Sequence, residues 1–150
     1  MGTVPLWRSN VPGSNYEEVN EDSPLPVQVV PPTWPLAPVY ISASGTAGAG
    51  AITLTLPGVL NKTTWIQGFI VTGLGATAAS TIAVTITGLQ NTLTFYFTVA
   101  LGATVADTPL VIPFSAPIPA SAPNTAIVVN VPSFGGGNTN AAASAWGFQL

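Results

Sequence analysis

The sequence predicts an all-β fold, an antiparallel β-sandwich with an extended proline-rich arm at its N-terminus. Three observations carry that prediction. Apolar and polar residues alternate with period two in segment after segment beyond residue 39, as they do in strands that bury one face. Clusters of Gly, Pro, Ser and Asn separate those segments at short intervals. No i, i+3, i+4 apolar stripe occurs, and Glu, Lys and Arg, which usually cover the wet face of a helix, are nearly absent.

The arm comes first. Residues 1–38 hold eight of the fifteen prolines: Pro5, Pro12, Pro24, Pro26, Pro31, Pro32, Pro35 and Pro38. Each fixes φ, removes a donor and holds its predecessor to extended angles. Residues 24–38 therefore read as extended, partly polyproline II chain, neither helix nor central strand. A solvated tail is one reading of such a segment. Against it, Trp7, Tyr16, Val29, Val30, Trp34 and Leu36 are too apolar for a solvated linker. Stiff backbone loses little entropy on docking and aromatic side chains make good anchors, so the favoured reading is an arm lying along another protein. Its candidate partner-binding residues are Trp7, Arg8, Tyr16, Glu17, Glu18, Val29, Val30, Trp34 and Leu36.

The body, residues 39–150, follows in strands. Ile52, Leu54 and Leu56 alternate with Thr53 and Thr55; Ile82, Val84 and Ile86 with Thr81, Ala83, Thr85 and Thr87. Leu93, Phe95, Phe97 and Val99 alternate with Thr94, Tyr96 and Thr98; Ile127, Val129 and Val131 with Ala126, Val128 and Asn130. β-Branched Thr suits the exposed side of a pleated surface. Weaker strand segments are 39–44, 64–73, 109–115 and 142–149, the last with Trp146 and Phe148 on one face. Turns are expected at 45–50, 57–58, 73–79, 88–91, 102–107, 117–124 and 135–140. About eight strands at this spacing fit a sandwich or barrel, and eight is the jelly-roll number. A jelly roll is the expected architecture.

Composition then removes most chemistry. Only seven residues are charged (Arg8, Glu17, Glu18, Glu21, Asp22, Lys62 and Asp107), where average usage of about 25% would give roughly 37. There is no His and no Cys, hence no imidazole base, thiolate nucleophile, disulfide or Cys-based zinc site. Two cations cannot make a nucleic-acid footprint. Residues 1–10 have one Arg and no apolar core, so no signal peptide is expected. The charge-free run 63–106 is interrupted by Gly and Thr throughout, so no membrane helix is expected either. The chain reads as soluble.

The remaining candidates for chemistry are weak. Glu17, Glu18, Glu21 and Asp22 cluster in the arm, where no core could desolvate them; they read as a solvated patch or a charged contact with a basic partner. Asp107, before Thr108-Pro109, reads as a turn residue bonded to nearby backbone. One acid in the body makes a calcium site improbable. Gly135-Gly136-Gly137-Asn138 lacks the Lys and helix of a phosphate loop and reads as a flexible connection between the last two strands. Gly68 and Gly73 mark bulges or close backbone contact. Trp65 and Trp146 read as core, with a sugar-stacking platform as the alternative. No catalytic residue, metal ligand or cofactor is expected.

Two stretches carry a resemblance. Residues 44–72, SGTAGAGAITLTLPGVLNKTTWIQGFIVT, combine a small-residue loop, a Thr-alternating strand ending in Leu-Pro and an aromatic-led strand. Residues 113–150, PFSAPIPASAPNTAIVVNVPSFGGGNTNAAASAWGFQL, combine a Pro/Ala/Ser loop, an Asn-Thr turn, a Gly/Asn loop and a C-terminal Trp-Gly-Phe. Together they resemble the small capsid decoration (cement) proteins of tailed bacteriophages and related virion β-sandwich proteins. The resemblance covers roughly residues 40–150 and rests on composition and order rather than on a signature motif.

It implies a jelly-roll-like domain, often a homotrimer, on the outer surface of the virion capsid, clamping neighbouring major capsid subunits through an extended arm. No catalytic or binding residue transfers by motif. The chain's own chemistry is compatible: neutral Thr- and Ala-rich faces suit burial between subunits, where unpaired charge is costly, and linked weak contacts add as avidity. The expected partners are the major capsid protein and further copies of the chain, without direct nucleic-acid or membrane contact. Two rival functions are a carbohydrate-binding or adhesive jelly roll using Trp65, Trp146 or Tyr96, and another phage part such as a head-fibre base or tail component.

Overall fold

The first and last strands of the body lie side by side, and that pairing organises everything between them. The computed structural model describes residues 6–8, 17–19 and 37–150. The chain divides into two compact units, Met1–Pro35 and Leu36–Leu150. In the first, β1 (Leu6–Arg8) and β2 (Glu17–Val19) pair antiparallel, with Trp7 opposite Glu18 and Arg8 opposite Glu17.

The second unit holds eight strands: β3 (Val39–Ala47), β4 (Ile52–Leu56), β5 (Thr64–Thr72), β6 (Ser80–Thr87), β7 (Leu93–Val99), β8 (Leu110–Pro119), β9 (Ile127–Val131) and β10 (Ala141–Gln149). No described residue is helical. The strands form two antiparallel sheets, ordered β3-β10-β5-β8 and β4-β9-β6-β7. Strand one of the eight pairs with the last, the second with the seventh, the third with the sixth and the fourth with the fifth. Rolling that long hairpin adds the β10–β5 and β9–β6 pairs. This winding is the jelly roll.

Every segment read as a strand from its alternation is one. Two turns are shorter than expected, 48–50 in place of 45–50 and 121–124 in place of 117–124, because the strand before each runs on. Gly45 continues β3 to Ala47 because a side chain there would crowd Ile52 Cγ2 at 2.9 Å; its absence lets β3 run past β4. Pro117 and Pro119 lie in β8, which is an edge strand, where proline removes no ladder bond from an outer neighbour.

The core fills the space between the sheets. Leu54, Leu56, Val84, Ile86, Ile127, Val129 and Val131 meet Ile66, Phe69, Val71, Ala143 and Ala145. A fully buried aliphatic or Phe side chain contributes about 1.5–3 kcal/mol relative to exposure, so the alternation itself supplies the stability. Phe69 meets Phe95 edge-on at 5.2 Å, and Phe97 lies 4.9 Å from Phe134. The Thr residues between them, Thr53, Thr55, Thr94 and Thr98, are exposed as expected.

Side chain-to-backbone bonds hold two loops. Asp107 is 7% exposed; its Oδ1 accepts the Ala100 N–H at 2.7 Å, and its own N–H donates to the Gly73 carbonyl at 3.1 Å. It bonds to backbone, as read, but buried and across the β7–β8 connection. The glycine-rich loop is anchored rather than free. Phe134 and Asn138 are each 1% exposed, and the Asn138 amide donates to the carbonyls of Leu74 and, at 3.2 Å, Gly75.

Candidate interaction surface

The outer face of the β3-β10-β5-β8 sheet gathers four aromatic side chains that do not enter the core, Tyr40, Trp65, Trp146 and Phe148. On β10 the buried residues are Ala141, Ala143, Ala145, Gly147 and Gln149, which leaves Ala142, Ser144, Trp146 and Phe148 outside. Phe148 stands opposite Tyr40 on β3 and opposite Trp65 on β5. The three rings form a row across three adjacent strands. Phe148 stacks on Trp65 at 5.9 Å with planes 13° apart and meets Tyr40 edge-on at 6.3 Å. Such cross-strand aromatic pairs each contribute about 0.5–1.5 kcal/mol beyond area burial.

Trp146 occupies the next row, between Ser42 and Gly68. A bulge makes room for it. The register slips between Trp146 and Gly147, so β5 has the extra residue Gln67 there. A Cβ on Gly68 would come within 2.6 Å of the Trp146 ring and of the Ile112 carbonyl oxygen. The glycine expected to mark a bulge does so, and the indole lies where its side chain would be. Gly73, the other such glycine, closely approaches Phe134 and the Asn140 carbonyl.

Trp65 and Trp146 are therefore not core residues; both are half-buried on the outer face. The reason is size. Ala145 is the register partner of Phe69, and Ala143 of Val71, so the interior already holds the larger side chain of each pair and β10 must turn its small residues inward.

Beyond this aromatic end the face becomes small and hydroxylic, with Ser44, Thr46, Ala142 and Ser144. A shallow hollow of about 260 Å³ lies between Tyr40, Ser42, Gln67 and Trp146. Tyr40 is 73% exposed. The Trp65 indole N–H is buried without a protein acceptor.

Electrostatically the surface is bare. Of the body's two charged side chains, Asp107 is buried, which leaves Lys62 as the one ionised side chain at the surface of residues 37–150. Among the described residues no group of three or more His, Cys, Asp or Glu could hold a metal ion. The face can stack on flat apolar groups and offer hydroxyls.

Of the arm residues singled out from the sequence, Trp7, Arg8, Glu17 and Glu18 lie on the β1–β2 ladder, at facing positions Trp7–Glu18 and Arg8–Glu17. Tyr16, Val29, Val30, Trp34 and Leu36 lie outside the described residues. Sequence reasoning missed Tyr40 as a neighbour of Phe148; only the pairing of first with last strand could have brought the two together. No family model, curated protein or solved structure matches this chain.

Proposed function

We propose that this chain is a non-enzymatic structural protein of a bacteriophage virion, which decorates the outer surface of the capsid and stabilises it. Its β domain associates as a trimer, and its proline-rich arm crosses to neighbouring major capsid subunits, so that each copy ties several together. No cofactor takes part, and the action is mechanical: added cross-links resist outward pressure from packaged genome.

One observation carries this reading. A jelly-roll body of more than a hundred residues presents a single ionised side chain to its surroundings, whereas free domains keep charges of both signs outside for solubility. A surface without charge is inexpensive to bury against other subunits. Deleting residues 1–38 tests the clamp: the truncated chain should fold, by circular dichroism, yet bind capsids far more weakly than the full chain. Equal decoration by the two would refute the role of the arm, and failure of the full chain to bind any capsid would refute the function.

A second reading, a carbohydrate-binding or adhesive module, is favoured by the Tyr40–Phe148–Trp65 row and its neighbour Trp146, because sugar rings stack on such faces. Glycan-array binding that disappears in Tyr40→Ala and Trp146→Ala, with the fold kept, would favour it over capsid decoration. Negative-stain imaging of where the protein sits separates both from a head-fibre or tail component.

A further inference from the structure

The body has four edge strands, β3, β8, β4 and β7. An unprotected edge is a template for another chain, and proteins blunt it with proline, charge, brevity or cover. β8 has Pro113, Pro117 and Pro119. β3 and the five-residue β4 lie alongside one another. β7 has neither proline nor charge and is seven residues long, and a hollow of about 400 Å³ lies between its Tyr96, Phe97 and Thr98 and the 106–110 segment. β7 pairs with β6 alone, and its backbone makes no further backbone hydrogen bond among the described residues. Tyr96, at its centre, is 72% exposed.

The sequence of this edge identifies what fits it. Leu93-Thr94-Phe95-Tyr96-Phe97-Thr98-Val99 reads the same in both directions about Tyr96, apart from the Leu–Val exchange at its ends. An antiparallel neighbour with the same sequence therefore places Thr94 against Thr98, Phe95 against Phe97 and Tyr96 against itself. Each outer side chain then meets its like and each core-facing Phe meets a Phe. With no charge on the strand, no like charges oppose one another, which would disfavour a symmetric pair.

We propose that β7 is a self-association edge, on which a second copy of this chain pairs antiparallel about a two-fold axis through Tyr96. The β4-β9-β6-β7 sheets of two copies then join into one eight-stranded sheet, and the outward N–H and C=O groups of both edges are satisfied. Residues related by such an axis form an isologous contact. The pairing does not depend on capsid decoration and would form in purified protein. On a shell it would link one trimer to the next.

Single cysteines in the full chain, which has none of its own, test both the contact and its register. Directly opposed residues have Cα atoms about 4.5–5.5 Å apart, within the roughly 4.4–6.8 Å that a disulfide spans. Under mild oxidation Tyr96→Cys should yield a two-chain species on a non-reducing gel. Thr94→Cys alone should give at least about tenfold less, because its own copy lies roughly 13 Å away along the strands. An equal mixture of Thr94→Cys and Thr98→Cys should restore the two-chain product. If Tyr96→Cys stays single-chain, or all three variants cross-link alike, the proposed pairing is wrong. Tyr96→Lys, at an exposed position, should keep the β circular dichroism spectrum and weaken self-association by roughly tenfold or more through opposed ammonium groups; unchanged sedimentation would likewise overturn it.

Discussion

Phe148 and Trp65 are direct partners across β10 and β5, their rings nearly parallel with centroids 5.9 Å apart. The stack is built on the outside of the sandwich, where it closes one end of the sheet and extends an apolar row to Tyr40. Stability and recognition should therefore separate within the row. Phe148→Ala should cost about 1–2 kcal/mol, from a lost ring pair and partial burial, whereas Tyr40→Ala, at 73% exposure, should stay within about 0.5 kcal/mol. Urea unfolding midpoints measure both. If the surface binds a partner, Tyr40→Ala weakens that binding without changing the midpoint.

Gly147 lies against the backbone of Trp65, so a methyl there would overlap the Trp65 carbonyl. Gly147→Ala should destabilise by about 1–3 kcal/mol or more, as overpacking does. Gly48 is the internal comparison: an added Cβ meets nothing within 4 Å, and Gly48→Ala should leave stability within about 0.5 kcal/mol. Equal effects at the two sites, in thermal melts, would contradict the packing described.

Asn138 ties the β9–β10 loop to the Leu74 and Gly75 carbonyls while 1% exposed. Truncation to Ala leaves those acceptors short of a buried donor and should cost about 1–3 kcal/mol. Hydrogen exchange would locate the effect: amides of the 132–140 loop, including the Asn140 N–H that donates to Asn138 Oδ1 at 3.2 Å, should lose protection before those of β9 or β10.

A body with one surface ionised side chain has little for salt to screen. Its unfolding free energy should change by less than about 0.5 kcal/mol between 50 and 500 mM sodium chloride, the scale of a single surface pair. Sulfate should still raise the melting temperature, since its exclusion strengthens apolar burial. A large stabilisation or loss in sodium chloride would point to charge interactions that the body's surface does not display.

Orientation is legible in the sequence only where one face of a strand is apolar. Thr53 and Thr55 between Ile52, Leu54 and Leu56 told both strand and orientation, because only one face of β4 was apolar. On β10 neither face is charged and the one with the larger side chains reads as inward; Phe69 and Val71, opposite Ala145 and Ala143, fill the interior and turn it outward. Likewise Asn138 sits in a glycine-rich stretch that reads as mobile chain, and nothing local reveals the carbonyls of Leu74 and Gly75 that hold it.

The amino-acid sequence by itself determined that this is a β protein, where its strands lie and that its body is almost uncharged, since alternation and composition are local properties of a chain. The tertiary structure decided that Val39–Ala47 pairs with Ala141–Gln149, which of two apolar faces turns inward, and which strand edge stays open. Those outcomes depend on volume matching and hydrogen-bond pairing between residues about a hundred positions apart, and no window along the chain contains both members of such a pair.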